Sequence, residues 1–160
     1  MTVVLGGEPA WIMQAAQLLN DGGCRVGMLR SDGVYVRGHR VMNTPASAFL
    51  GCEALFNDTT VDHVILCLGD EQMLQTGFPL DRFDHLVLVE PETTPDAARW
   101  QALHECACLL AELCEGEILL EKQGAGWNPA LKKLPGNKLR IIDAEELHRN
   151  PVQYLSKDMN

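Results

Sequence analysis

The chain has 160 residues, of which 46% are hydrophobic and 22% charged, a size and composition typical of one globular domain that buries its own core. Its 13 Lys and Arg against 22 Asp and Glu give a formal net charge of -9, which disfavours binding to a nucleic-acid backbone. No apolar run approaches the ~20 residues of a membrane span, and the N-terminus does not resemble a secretory signal. We therefore expect a cytoplasmic protein that binds neither nucleic acid nor membrane.

A strand, a glycine turn and a helix open the chain. Residues 2–5 form a short β-branched run, Gly6-Gly7 follows, and residues 11–20 carry apolar side chains at helical spacing. A second apolar strand over 24–29 completes a strand-helix-strand unit, which implies a parallel pair. Residues 33–42 then alternate apolar and polar around Arg37-Gly38, and this pattern predicts a β-hairpin beside the main sheet.

Two helices are predicted to begin at a threonine followed by a proline, at Thr44-Pro45 and Thr94-Pro95. Threonine is a favourable N-cap, and proline is favoured at the first helical position. The second helix is the longest and extends to about Cys114. Asp143 and Glu146 predict a capping box for a last short helix.

The remaining pattern predicts buried strands joined by short connections. Nearly continuous apolar runs are typical of strands covered on both faces. The fold class is therefore α/β: a three-layer, mostly parallel sheet flanked by helices, with a small β-hairpin. We expect one domain over residues 1–149 and a C-terminal tail over 150–160. The four further predicted strands cover residues 61–68, 85–90, 117–121 and 138–142.

Four segments resemble one protein family. Residues 23–38 read GCRVGMLRSDGVYVRG, similar to G-x-x-V-G-x-T-T-x-D-G-I-Y-I-x-G. Residues 44–48 (TPASA), 61–66 (VDHVIL) and 77–84 (GFPLDRFD) are similar to G-P-x-S-A, V-D-x-A-V-L and G-L-G-F-D-R-C-D. In order and spacing over roughly residues 1 to 120, they resemble the central, ATP-binding domain of the Mur ligase family, most closely the ligase half of cyanophycin synthetase. The resemblance implies a P-loop or Rossmann-like fold and, for an active member, ATP-dependent amide-bond formation with Mg²⁺.

The chain departs from this family where the family's catalytic residues stand. The family's first strand is followed by G-T-N-G-K-T-T, whereas this chain has Gly6-Gly7-Glu8-Pro9, so that Glu8 falls at the position of the phosphate-binding Lys. Cys67 replaces the family's metal-binding Glu, and a thiol is a poor ligand for Mg²⁺. Residues 89–96 lack the His of the family's N-I-x-x-D-H-L-G. These departures predict a degenerate phosphate loop at Gly6, Gly7 and Glu8, no catalytic residue, and neither ATP nor Mg²⁺ as cofactor.

Two interpretations remain open for several residues of this region. Glu8 is either a functional carboxylate for a cationic ligand or, as we prefer, an acidic first-turn residue that complements the helix dipole. Cys67, Asp70 and Glu71 follow a predicted strand at the place where open α/β sheets bind ligands, and they form a candidate ligand cleft. The alternative for the two carboxylates is the solvated start of a short helix, and the alternative for Cys67 is a reactive thiol.

The cysteines and tryptophans offer two further candidate sites. The long helix brings four candidate metal ligands close together in the sequence: His104, Cys106, Cys108 and Cys114. Cys106 and Cys108 point apart around a helix, however, so we predict core thiols and no metal site. Trp127 lies in the Gly- and Pro-containing segment 124–129. It is a candidate interface anchor, the alternative being an indole folded back onto the domain.

Three hypotheses on function follow. The first is a non-catalytic, Mur-ligase-like pseudoenzyme linked to cyanophycin or amide-ligase metabolism, which acts by protein association, with itself or with another enzyme, or by ligand binding. The second is a fragment of an ATP-dependent, amide-bond-forming ligase. The third is a small-molecule binding protein that uses the vacated nucleotide cleft.

Overall fold

The computed structural model describes residues 1–45, 47–69, 73–78, 80–122 and 125–155. In chain order, its strands are β1 (Thr2–Leu5), β2 (Val26–Arg30), β3 (Gly33–Val36), β4 (His39–Asn43), β5 (His63–Leu68), β6 (His85–Leu88), β7 (Ile118–Glu121) and β8 (Leu139–Ile142). Its α-helices are α1 (Ala10–Asp21), α2 (Ala48–Phe56), α3 (Met73–Thr76), α4 (Ala97–Leu113), α5 (Asn128–Leu131) and α6 (Ala144–Arg149). Within these described ranges, no helix is both long and apolar enough to cross a bilayer.

All eight strands belong to one sheet, in the order β4-β3-β2-β5-β1-β6-β7-β8. The six strands from β2 to β8 in this order are parallel, and the β3-β4 hairpin extends the sheet antiparallel to β2. Strands β2 to β5 lie on one side of β1, and strands β6 to β8, which come later in the chain, lie on the other side. This arrangement confirms the predicted α/β fold, and it creates a topological switch point beside β1, where open sheets of this kind bind ligands.

Both faces of the sheet are covered, which explains the nearly continuous apolar runs of the central strands. Along β1, Val3 and Leu5 pack on the face covered by α2, α4 and α5, whereas Val4 packs on the face covered by α1 and α6. The same alternation recurs in β5 and β6. The hairpin turn lies at Arg37 and Gly38, as predicted, and both residues have positive φ, 53° and 78°.

The predicted helix starts at Thr44 and Thr94 are wrong by a few residues. The N-caps are Ser47 and Asp96, whose side-chain oxygens accept hydrogen bonds from the backbone N–H groups of Leu50 and Arg99. In each case the proline precedes the cap instead of following it. The prediction of a capping box at Asp143 is also wrong, because this N-cap makes no side-chain hydrogen bond to the helix.

The predicted tail does not begin at residue 150. Residues Pro151–Tyr154 form a 3₁₀ helix, and the buried side chains of Tyr154 and Leu155 belong to the core that α1 forms with its face of the sheet. The apolar residues of this stretch are too few to show a period in the sequence, yet they cover one end of α1. The domain therefore extends at least to Leu155.

Candidate functional site

A small cavity of about 260 Å³ lies at the carboxyl ends of the central strands, and we call it the switch-point cleft. Gly6, Gly7 and Glu8 follow β1, Ser31 follows β2, and Gly69 follows β5. The remaining lining comes from the segment after β6 and from the first turn of α4: Pro91, Glu92, Thr93 and Arg99. The cleft occupies the position where this topology places ligands.

Gly6 makes the tight turn that ends β1. Its φ is +110°, and its N–H donates a hydrogen bond to the carbonyl oxygen of Leu68, with the two atoms 2.9 Å apart. A Cβ atom on Gly6 would lie 2.2 Å from the carbonyl oxygen of Val89, so a larger residue does not fit without a backbone shift. The glycine here serves the close approach of two backbone segments.

Glu8 is the central charge of the cleft, and it is already paired. Its Oε2 accepts a hydrogen bond from Nε of Arg30 at 3.1 Å, and its Oε1 accepts one from the backbone N–H of Ser31. The side chains of Glu8 and Arg30 are only 19% and 27% exposed. The interpretation of Glu8 as a first-turn helical residue is wrong, because α1 begins at Ala10 with Pro9 as its N-cap.

Cys67 lies beneath the cleft, on the face of β5 that packs against α1. It is 5% exposed, and burial raises the pKa of its thiol well above the usual range, with the nearby Glu8 carboxylate adding to the effect. Cys67 is therefore a neutral core thiol at pH 7, which makes it unsuited to nucleophilic attack. The other two predicted cleft residues, Asp70 and Glu71, lie outside the described residues.

The sequence did not single out two of the charges that shape the cleft. Arg30, at the end of β2, neutralises Glu8, and Arg99 on α4 lines the cleft with its Nη2 3.4 Å from the carbonyl oxygen of Gly69. A signal was present, because Arg30 directly follows the predicted parallel strand over 24–29, and its side chain is therefore expected at the same sheet edge as Glu8. Arg99 follows a helix start that the sequence placed only approximately.

The described residues do not fit a magnesium nucleotide. A phosphate-binding loop needs several free backbone N–H groups, a Lys and a metal-binding hydroxyl. Here four residues join β1 to α1; Pro9 has no N–H, and Glu8 presents a carboxylate. Elsewhere, the described chain holds no cluster of three or more His, Cys, Asp or Glu side chains that converge as metal ligands.

Trp127 packs behind Gly6, and its prediction as an exposed interface anchor is wrong. The side chain is fully buried, and its indole N–H donates a hydrogen bond to the carbonyl oxygen of Val89 at 2.9 Å. The nearest indole carbon would lie 3.4 Å from a Cβ on Gly6. The ring also meets Trp100 edge to face, with centroids 5.4 Å apart, so Trp127 packs between the cleft and α4.

A second and larger cavity, of about 900 Å³, runs along the outer side of α4, and we call it the α4 groove. One wall is α4, the other is formed by residues 125–133, and Leu74 of α3 lies at its edge. His104 lies in the α4 wall, where it stacks on Trp100 and lies within hydrogen-bond distance of the carbonyl oxygen of Gly126. The groove is lined by Leu74, Ala97, Trp100, Gln101, His104, Glu105, Cys108, Leu109, Ala125, Gly126, Pro129, Ala130 and Lys133.

Comparison with known proteins identifies the fold but no family. No family model and no curated protein sequence matches the chain. Among solved structures, the chain is similar to a UDP-N-acetylmuramoyl-L-alanyl-D-glutamate–2,6-diaminopimelate ligase, with a TM-score of 0.66 and 14% identity over 88% of this chain. The match spans 31% of that ligase chain. The fold is therefore Mur-ligase-like, and at this identity the likeness extends to the fold alone.

Proposed function

We propose that the chain is a non-catalytic domain with a Mur-ligase-like fold, and that it acts by association with a protein instead of by ATP-dependent ligation. The observation that carries the proposal is the ion pair between Glu8, in the turn after β1, and Arg30, at the end of β2. In the family that the sequence resembles, this turn holds a phosphate-binding lysine. The resemblance to cyanophycin synthetase supports a role beside that metabolism or another amide-ligase system.

Electrostatics at the turn argue against a bound triphosphate. Arg30 and the N–H of Ser31, the donors beside the turn, already bind the mostly buried carboxylate of Glu8. A phosphate group that takes these donors leaves Glu8 unpaired beside it, and two like charges 4 Å apart repel by about 1 kcal/mol in bulk water and by about 4 kcal/mol at the effective dielectric constant of a protein surface. A nucleotide therefore either does without these donors or meets this repulsion.

The described part of the cleft also provides little for a metal ion. Mg²⁺ prefers oxygen ligands, and the position that resembles the family's metal-binding glutamate is the buried thiol of Cys67. Hence two separate elements of the phosphate chemistry are replaced. A carboxylate stands at the position of the phosphate-binding cation, and a sulfur atom stands at the position of the oxygen ligand of the metal.

Two alternatives make different demands on the same cleft. A ligase fragment requires Mg·ATP to bind there. A small-molecule binding protein requires a compact ligand in the same place. The cleft is smaller than the roughly 300–1,000 Å³ typical of ligand sites, so only a small ligand fits. A thermal-shift screen tests the latter, since a ligand at 100 times its Kd adds about 2.7 kcal/mol of stability.

Isothermal titration calorimetry with Mg·ATP tests the proposal. We expect no binding to the wild-type chain and none to Glu8→Lys, because a single introduced cation does not rebuild a loop that lacks N–H groups and a metal ligand. Glu8→Gln serves as the control for loss of the ion pair without added positive charge. Saturable binding to the wild type with a Kd of about 10 μM or tighter would contradict the proposal and favour the ligase.

A further inference from the structure

Helix α4 buries one apolar stripe and leaves a mixed surface on the side of the groove. Leu103, Cys106 and Leu110 are fully buried against the sheet. On the groove side, Trp100, Cys108 and Leu109 are interspersed with polar side chains of the same helix. Leu109 is 48% exposed there, so the groove side of α4 offers apolar surface that the fold leaves uncovered.

The α4 groove is preformed and offers its exposed apolar side chains together. Leu109 on α4 and Leu74 on α3, which is 38% exposed, both line it. Its wall is fixed by close packing, because a Cβ on Gly126 would lie 2.1 Å from the ring of Trp100. Little side-chain ordering would therefore oppose binding there, which favours affinity.

The charges of the groove identify the occupant. Glu105 lies on the α4 wall and Lys133 on the opposite wall, and both side chains are exposed. Within the described part of the chain, neither forms an ion pair. Two opposite charges on the two walls of one groove allow self-complementary pairing, because a two-fold axis through the groove can bring Glu105 of each copy opposite Lys133 of the other.

The balance of charge in the groove supports the same partner. The whole chain carries a formal charge of -9, so two copies repel each other over most of their surface. The lining of the groove contains one carboxylate and one ammonium group, which makes it a neutral patch on an acidic chain. Two copies therefore meet with little repulsion at this surface.

We infer that the α4 groove is the interface of a symmetric dimer of this chain, in which Leu109 and Leu74 become desolvated and two Glu105–Lys133 pairs form at the rim. The inference deepens the proposed function, on which it rests for the view that the chain acts by association. It assigns a second copy of the same chain as the partner.

Molar mass by sedimentation equilibrium, with two charge-reversal variants, tests the dimer. We expect the wild type to dimerise at micromolar concentration. Glu105→Lys and Lys133→Glu each place like charges opposite one another at both pairs, and each weakens dimerisation by about tenfold or more. A one-to-one mixture of the two variants restores the dimer, because in the mixed pair every charge at the rim faces an opposite one. A change in the fold or stability of either variant alone cannot explain a dimer that returns only when the two variants are mixed.

The controls separate a lost interface from a lost fold. Glu53→Lys reverses an exposed charge on α2, away from the groove, and leaves the mass unchanged. Leu109→Glu abolishes the dimer while the circular dichroism spectrum stays that of the wild type. A wild type that remains monomeric, or a dimer that survives all three groove variants, would overturn the inference.

The failure of this inference is distinguishable from failure of the proposed function. A monomer that binds no Mg·ATP overturns the dimer and leaves the non-catalytic domain in place. A dimer that binds Mg·ATP with micromolar affinity overturns the proposed function and leaves the dimer. A groove that instead captures an added amphipathic helical peptide, with the chain itself monomeric, overturns the assignment of a second copy.

Discussion

The switch-point cleft and the α4 groove lie on either side of the first turn of α4 and differ in almost every physical property. Arg99 lines the cleft, and its neighbour Trp100 lines the groove. The cleft is small and charged, and its central carboxylate is bound by the chain itself; the groove is more than three times as large and mainly apolar. In this chain, then, the central charge at the position that the topology prepares for a ligand is already paired, while the larger apolar cavity lies along a helix.

Replacement of Trp127, which packs between the two cavities, has the largest expected effect. Trp127→Ala removes a fully buried ring and costs about 3–5 kcal/mol of unfolding free energy. Trp127→Phe keeps an aromatic ring against Trp100 but removes the donor to the carbonyl oxygen of Val89, and costs about 1–2 kcal/mol. Urea denaturation measures both. Equal losses of unfolding free energy for the two variants would mean that an aromatic ring at position 127 adds no stability beyond the hydrogen bond to Val89.

The turn at Gly6 gives the next largest effect. Gly6→Ala places a methyl group against the carbonyl oxygen of Val89 at a positive φ, so we expect a loss of about 2–3 kcal/mol. Gly7→Ala is the matched control, because its nearest neighbour, Cγ2 of Val89, would be 3.7 Å away. We expect it to cost less than about 1 kcal/mol. Similar melting temperatures for the two variants would show that the turn tolerates a side chain.

Thiol labelling compares the two cavities with no change to the chain. Cys67 under the cleft is buried and burial raises its pKa, whereas Cys108 in the groove is half-buried. At pH 8, with the chain diluted until it is monomeric, iodoacetamide should alkylate Cys108 well before Cys67, as peptide mass spectrometry detects, while in urea both react. Alkylation of Cys67 at the rate of Cys108 would mean that the cleft opens in solution.

Much of the fold follows from the sequence because its signals are local. Strands covered on both faces give continuous apolar runs, and the hairpin turn at Arg37-Gly38 is visible in an alternating pattern. The helix starts were misplaced because two residues near each start can cap: Thr44 competes with Ser47, and Thr94 with Asp96. Only the backbone geometry decides which oxygen reaches the N–H group three residues later.

The candidate site was predicted less completely, because its properties depend on pairs of residues that lie far apart in the sequence and in contact in the fold. The order of strands places Glu8 beside Arg30, 22 residues further along the chain, and Trp127 beside Val89, 38 residues away. Nothing local to Trp127 indicates that its indole is buried. The α4 groove likewise requires two segments that the sequence separates, α4 and residues 125–133.

Amide chemical shifts of the ¹⁵N-labelled chain test the contrast between the cleft and the groove most directly. On dilution, we expect the resonances of Leu109, Lys133 and their neighbours to move as the dimer dissociates. On addition of Mg·ATP to about 1 mM, which would nearly saturate a site with a Kd of about 10 μM, we expect the resonances of Gly6, Gly7 and Glu8 to stay in place. Saturable shifts of these three amides with Mg·ATP, together with a groove unaffected by dilution, would contradict the account.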